Sequence, residues 1–180
     1  MNKIFSSLLL LAVLMISWSG WASAQPVEVT LTPVVVDELD ASQGLVHYSL
    51  RTNQVVPDSL ADTDAWDIAF QGTSITVNGQ AQIVDVAFDA LVEAPEEGYH
   101  ADEEENPAIP SGNGEGWYLY DSTTHVVTAV PARTIVLKTP EDTYAKVEIV
   151  SYYDGQIPGV GAPRYFTFQY VHQPDGSRQF

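Results

Sequence analysis

The feature that most constrains this chain is a repeated alternation of short runs rich in Val, Ile, Thr, Tyr and Phe with clusters of Gly, Pro, Asn and Asp. Val27-Glu28-Val29-Thr30-Leu31-Thr32, Leu45-Val46-His47-Tyr48-Ser49-Leu50, Thr134-Ile135-Val136-Leu137-Lys138-Thr139 and Tyr165-Phe166-Thr167-Phe168-Gln169-Tyr170-Val171-His172 are examples. Residues two apart share a face in an extended chain, so each run fits a half-buried strand rather than a helix. The pattern predicts an all-β fold, a single antiparallel sheet or sandwich domain. Only 57–65 and 83–93, where the apolar spacing departs from strict alternation, leave room for a helical turn.

Several observations bound the setting of that domain. Lys3, the apolar run Leu8 to Leu14 and the small-residue triplet Ala22-Ser23-Ala24 have the order of a secretory signal peptide over 1–24, with cleavage before Gln25. Ser17, Ser19 and Gly20 interrupt the run before it reaches the roughly 20 residues a membrane span needs. Residues 25–180 are then one domain, long enough for a core. The sequence has 0 cysteines, which excludes a disulfide framework, a thiolate metal site, a cysteine nucleophile and a lipid-bearing N-terminal cysteine. The expected location is secreted or periplasmic. A formal net charge of −17 disfavours nucleic acid and anionic membrane surfaces as partners.

Residues 94–116 differ in composition, with Glu96, Glu97, Asp102, Glu103, Glu104 and Glu105 among prolines and glycines. The expectation is a long, mobile, solvated loop, and structureless connections of that length are often functional. Asp62, Asp64 and Asp67 lack the glycine and terminal glutamate of an EF-hand. There is no His-Glu-x-x-His, no Gly-x-Ser-x-Gly and no phosphate-cradling glycine loop, so nothing in the sequence supports an enzyme.

Trp66-Asp67-Ile68-Ala69-Phe70, then Thr76-Val77-Asn78-Gly79, Trp117-Tyr118-Leu119-Tyr120, Thr134 to Thr139, Tyr144-Ala145-Lys146-Val147-Glu148-Ile149, Ser151-Tyr152-Tyr153 and Tyr165 to Tyr170 follow one another in an order that resembles the HmuY-like haem-binding proteins of Bacteroidetes-type bacteria. The resemblance implies an antiparallel β fold that holds haem between two axial side chains, histidine in some members and methionine in others. It implies a haemophore that passes haem, or another porphyrin, to an outer-membrane TonB-dependent receptor in iron acquisition. Met1 and Met15 both lie in the leader, which leaves histidines. The absence of cysteine departs from the lipoprotein members and favours an unanchored form.

Four histidines compete. His47 and His172 lie inside strand-like runs and read as structural. His100, in the acidic segment, and His125, after the turn-like Asp121-Ser122-Thr123-Thr124, fall where the resemblance places ligands and are the expected axial pair on iron. Tyr99, Trp117, Tyr118 and Tyr120 are candidates to line the porphyrin faces, although alternation sends Trp117 and Leu119 one way and Tyr118 and Tyr120 the other. Arg133 is the candidate for the propionates. Asp102 or Glu103 beside His100, and Asp121 near His125, are candidates to accept the second ring proton. The alternative is a non-haem binding or surface-interaction module of the same fold, with Ca2+ at the acidic loop.

Overall fold

The computed structural model describes residues 31–180, and the expected signal peptide and most of the first expected strand lie outside them. Twelve strands follow: β1 Val34–Asp40, β2 Val46–Ser49, β3 Gln54–Val56, β4 Ile68–Gln71, β5 Ser74–Val77, β6 Gln80–Val84, β7 His100–Ala101, β8 Tyr118–Asp121, β9 Val126–Ala129, β10 Thr134–Lys138, β11 Tyr144–Tyr153 and β12 Pro163–Gln173. They form a six-stranded sheet in the order β1-β12-β11-β10-β6-β7, a four-stranded sheet β3-β2-β4-β5, and a separate hairpin β8-β9. All pairings are antiparallel. The two segments with looser spacing contain 3-10 turns, Asp58–Leu60 and Phe88–Ala90. No helix among the described residues is long and apolar enough to cross a membrane.

The two sheets are held face to face by the alternate residues of their strands. Phe70 of β4 meets Phe166 and Phe168 of β12 at ring-centroid distances of 4.7 and 5.2 Å, and all three are fully buried. Ile135 and Leu137 of β10 join this core. Val136, between them, points to the opposite face, where it packs with Leu91 and Ala94 and against Tyr99, Tyr144 and Phe180. The large sheet is thus covered on both faces, which is why β10 reads as a continuous apolar run rather than an alternation. Lys146 sits in this rear cover, donating to the carbonyls of Phe88 and Leu91 at 2.8 and 2.9 Å. Burial pushes its pKa down.

Trp66 to Phe70, the most distinctive stretch of sequence, serves the frame. Ile68, Ala69, Phe70 and the Asp67 carboxylate are all inaccessible to solvent. Asp67 Oδ2 accepts the Leu50 amide at 2.8 Å, while Arg51 Nε lies 3.2 Å from Oδ1. One buried acid therefore closes the turn after β2.

Residues 94–116 correct the expectation of a mobile, solvated loop. Ala94 is buried, its amide donating to the Arg178 carbonyl at 2.7 Å, and His100–Ala101 pairs with Gln80 and Ala81 as β7. Asp102 accepts the amides of Val77 on edge strand β5 at 2.5 Å and of Ala108 at 2.8 Å. Ala108 and Ile109 are buried in the main core. Glu96, Glu97 and Glu103 to Glu105 are exposed, so the acidic side chains are solvated while their backbone straps one side of the sandwich.

Candidate functional site

The β8-β9 hairpin rises from the end of the sandwich where β11 finishes and β12 begins. Its base is fixed by Trp117, buried against Phe166 and Tyr152 at 5.6 and 5.8 Å, whose indole donates to the Thr73 carbonyl at 2.8 Å. Gly116 precedes it because a Cβ there would collide with the Pro110 carbonyl. The Val127 amide donates to the Tyr153 hydroxyl at 2.9 Å, tying β9 to the end of β11. Asp121 then turns the chain by accepting the amides of Thr123 and Thr124.

His125 closes that turn with φ of 58°, a left-handed conformation that histidine tolerates better than most side chains. Its Nδ1 lies 2.5 Å from the Tyr120 hydroxyl. Its Nε2 takes no hydrogen bond among the described residues, and the ring is exposed. Clefts of about 480 and 390 Å³ flank the hairpin. The first is lined by Leu119, Tyr120, Val126 and Thr128, the second by His125, Val127, Tyr152, Tyr153 and Gly159. Gly159 approaches Val126 so closely that a Cβ would come within 2.7 Å of it. That contact sets the loop 157–161, whose Ile157 and Val160 are 57 and 76 % exposed, against β9, while Leu119 and Tyr120 of β8 are themselves exposed. Exposed apolar side chains near an imidazole with an unengaged nitrogen make this hairpin the candidate ligand site.

The other expected site residues do not converge there. His100 pairs with Ala81, Ala81 with Leu137, and Leu137 with Ala145, so His100 lies level with the start of β11, whereas His125 lies beside Tyr153 at its end. Eight residues of strand at about 3.3 Å each separate the two histidines by roughly 25 Å, and the structure does not bring them together. Tyr99 belongs to the rear cover, donating its hydroxyl to the Pro95 carbonyl and packing on Tyr144 6.1 Å away; burial pushes its pKa up to about 12. Trp117 is core, with Tyr118 tilted against it at 5.1 Å. Only Tyr120 joins His125. Arg133 is committed elsewhere: Nε donates to Asp85 at 2.8 Å, and Nη1 to the carbonyls of Gly114 and Gly116 at 2.8 and 2.6 Å. Asp102 and Asp121 both spend their carboxylates on backbone amides, so neither serves a histidine. No group of three His, Asp or Glu side chains able to hold a metal ion occurs among the described residues.

His47 and His172 are embedded in the frame, as expected of strand histidines. His47 is 5 % exposed, edge-on to Trp66 at 4.7 Å, and the His172 Nε2 meets the Thr143 hydroxyl at 2.9 Å. The partners that the sequence did not reveal are Asn113 and the loop 157–161. Neither carries a recognisable motif. The turn chemistry of Asp121 was the available signal, because a hairpin there sets Tyr120 and His125 on the two arms of one turn.

Fold and site together define a class: an antiparallel β-sandwich that presents a separate two-stranded hairpin at one end. No family model matches the sequence, and no curated protein matches it. Solved structures do share the fold, among them proteins described as HmuY-like or as an HmuY analogue. A Bacteroides vulgatus protein described as HmuY-like and haem-binding is 20 % identical, with a TM-score of 0.52 over 77 % of this chain and 90 % of that one. The apo HmuY analogue of Tannerella forsythia is 16 % identical, with a TM-score of 0.55 over 81 % and 96 %. Apo PinO from Porphyromonas gingivitis is 16 % identical, with a TM-score of 0.53 over 80 % and 98 %.

Proposed function

We propose that this protein binds haem at the β8-β9 hairpin, as a carrier rather than an enzyme, with His125 as an axial ligand. The observation that carries the proposal is the exposed imidazole whose Nε2 is unengaged while Nδ1 is held by Tyr120, set among exposed apolar side chains. The residues present fit the group. Haem supplies an iron that takes neutral imidazole nitrogen and a flat apolar surface that needs cover. Leu119, Tyr120 and Val126 offer that cover on one side of the hairpin, and Val127, Tyr152 and Tyr153 border the cleft on the other. Arg133 being engaged, the propionates are left to water and to Arg164, an exposed cation beside Tyr152.

A second reading retains the full axial pair of His100 and His125. It is favoured by the shortness of β7, a two-residue edge strand whose release from β6 would free His100 to move. Export over a leader ending at Ala24, and delivery to an outer-membrane TonB-dependent receptor, complete the proposed role.

Titration of the purified protein with hemin tests both readings. A saturable, shifted Soret band is expected, lost or greatly weakened in His125→Ala and unchanged in His100→Ala. Equal loss in both variants would establish the pair, and full retention in His125→Ala would refute the site.

A further inference from the structure

We propose that Tyr120 is the positioning residue of the axial ligand His125, and that their contact biases the site toward ferric haem. The inference rests on the haem reading above. Among the described residues, Tyr120 is the only hydrogen-bond partner the His125 ring has, at 2.5 Å between hydroxyl and Nδ1. The neighbouring carboxylate of Asp121 is spent on the amides of Thr123 and Thr124.

The chemistry of a hydroxyl suits this place. Without a ligand, a ring proton on Nε2 would leave Nδ1 free to accept from the phenol. When Nε2 is the ligand atom, the ring proton must sit on Nδ1, and the same phenol oxygen accepts it. A carboxylate serves only the second state and an ammonium only the first. Accepting the Nδ1 proton raises electron density at Nε2, and a more basic axial ligand favours the higher oxidation state of iron.

The tyrosine is itself held in place. Its amide donates to Asn113 Oδ1 at 2.8 Å, and Asn113 Nδ2 donates to its carbonyl at 3.1 Å. Asn113 belongs to the turn that Arg133 clamps through the Gly114 and Gly116 carbonyls, with Asp85 anchoring the guanidinium. A chain of polar contacts therefore runs from the large sheet to the imidazole. This gives Arg133 a task other than the propionates.

Tyr120→Phe tests the assignment by two separable measurements. In the ligand-free protein, imidazole 15N NMR is expected to show His125 locked in one tautomer, and to show averaged tautomers in Tyr120→Phe with the rest of the spectrum unchanged. With hemin bound, Tyr120→Phe is expected to weaken binding by about 10- to 100-fold and to raise the ferric/ferrous midpoint potential. Averaged tautomers in the unaltered protein, or an unaltered affinity and potential in the variant, would overturn the role of Tyr120. Failure of the unaltered protein to take hemin would refute the haem reading and with it the ferric bias, while the ligand-free spectrum would still decide whether Tyr120 positions the ring.

Discussion

Replacing Asp67 measures how much of the frame hangs on one buried acid. In Asp67→Ala the Leu50 amide, buried and bonded at 2.8 Å, loses its acceptor, which costs about 1–3 kcal/mol. Arg51 loses a partner 3.2 Å away; it retains Glu141 and the Asp64 carbonyl, so only about 1–2 kcal/mol more is expected from a cation that is partly solvated. The total is about 2–5 kcal/mol out of the roughly 5–15 kcal/mol that holds a domain together. With a urea slope near 1.5 kcal/mol/M, the unfolding midpoint should fall by about 2 M at unchanged slope. Asp67→Asn keeps an acceptor for Leu50 and loses only the charge, so about half that shift is expected. Urea denaturation followed by tryptophan fluorescence reads both variants. An Asp67→Ala protein within about 1 kcal/mol of the original would refute the reasoning, and equal losses in the two variants would show that charge rather than the amide contact dominates.

Two pH responses follow from burial. His172 has its pKa lowered chiefly by desolvation, so below the ordinary histidine range the unfolded chain takes up a proton that the folded one resists. Stability should fall as pH drops from about 7 toward 5, and His172→Asn should flatten that part of the profile of thermal midpoint against pH; an unchanged profile would exclude His172 as a contributor. Tyr99 and Tyr170 have their pKa values pushed up to about 12 by burial, so their contribution is intact below about pH 10 and is lost as pH rises through 12. Absorbance at 295 nm should show these two phenols ionising after the rest or together with unfolding, and Tyr99→Phe should remove one equivalent from that late phase.

Much of the frame was legible because its strands obey period two and its turns use Gly, Asp and Asn. The runs beginning at Leu45, Thr134, Tyr144 and Tyr165 all supply strands, and the two segments with looser spacing each contain a 3-10 turn. Composition misled at residues 94–116. An acidic, proline-rich stretch reads as free loop, yet Asp102 needs only two amides, and Ala108 and Ile109 only one apolar gap, to strap it down. The site was half legible. His125 and Tyr120 were both singled out, but not as partners, because the contact depends on the hairpin that Asp121 starts. His100, Tyr99 and Arg133 are near in sequence and remote in space. Which end of a sheet a residue occupies depends on strand register, and register is set by pairings between segments that linear order does not reveal.

The β8-β9 hairpin pairs with neither large sheet, and this separation governs how ligand binding would register in hydrogen exchange. Its amides can open through a local fluctuation that leaves the phenylalanine core intact, at a lower free energy than global unfolding. A ligand on His125 raises the cost of every opening that destroys the site and leaves the others untouched. Binding should therefore slow exchange across 118–121 and 126–129 while local openings at β3, at the far edge of the small sheet, continue at their former rate.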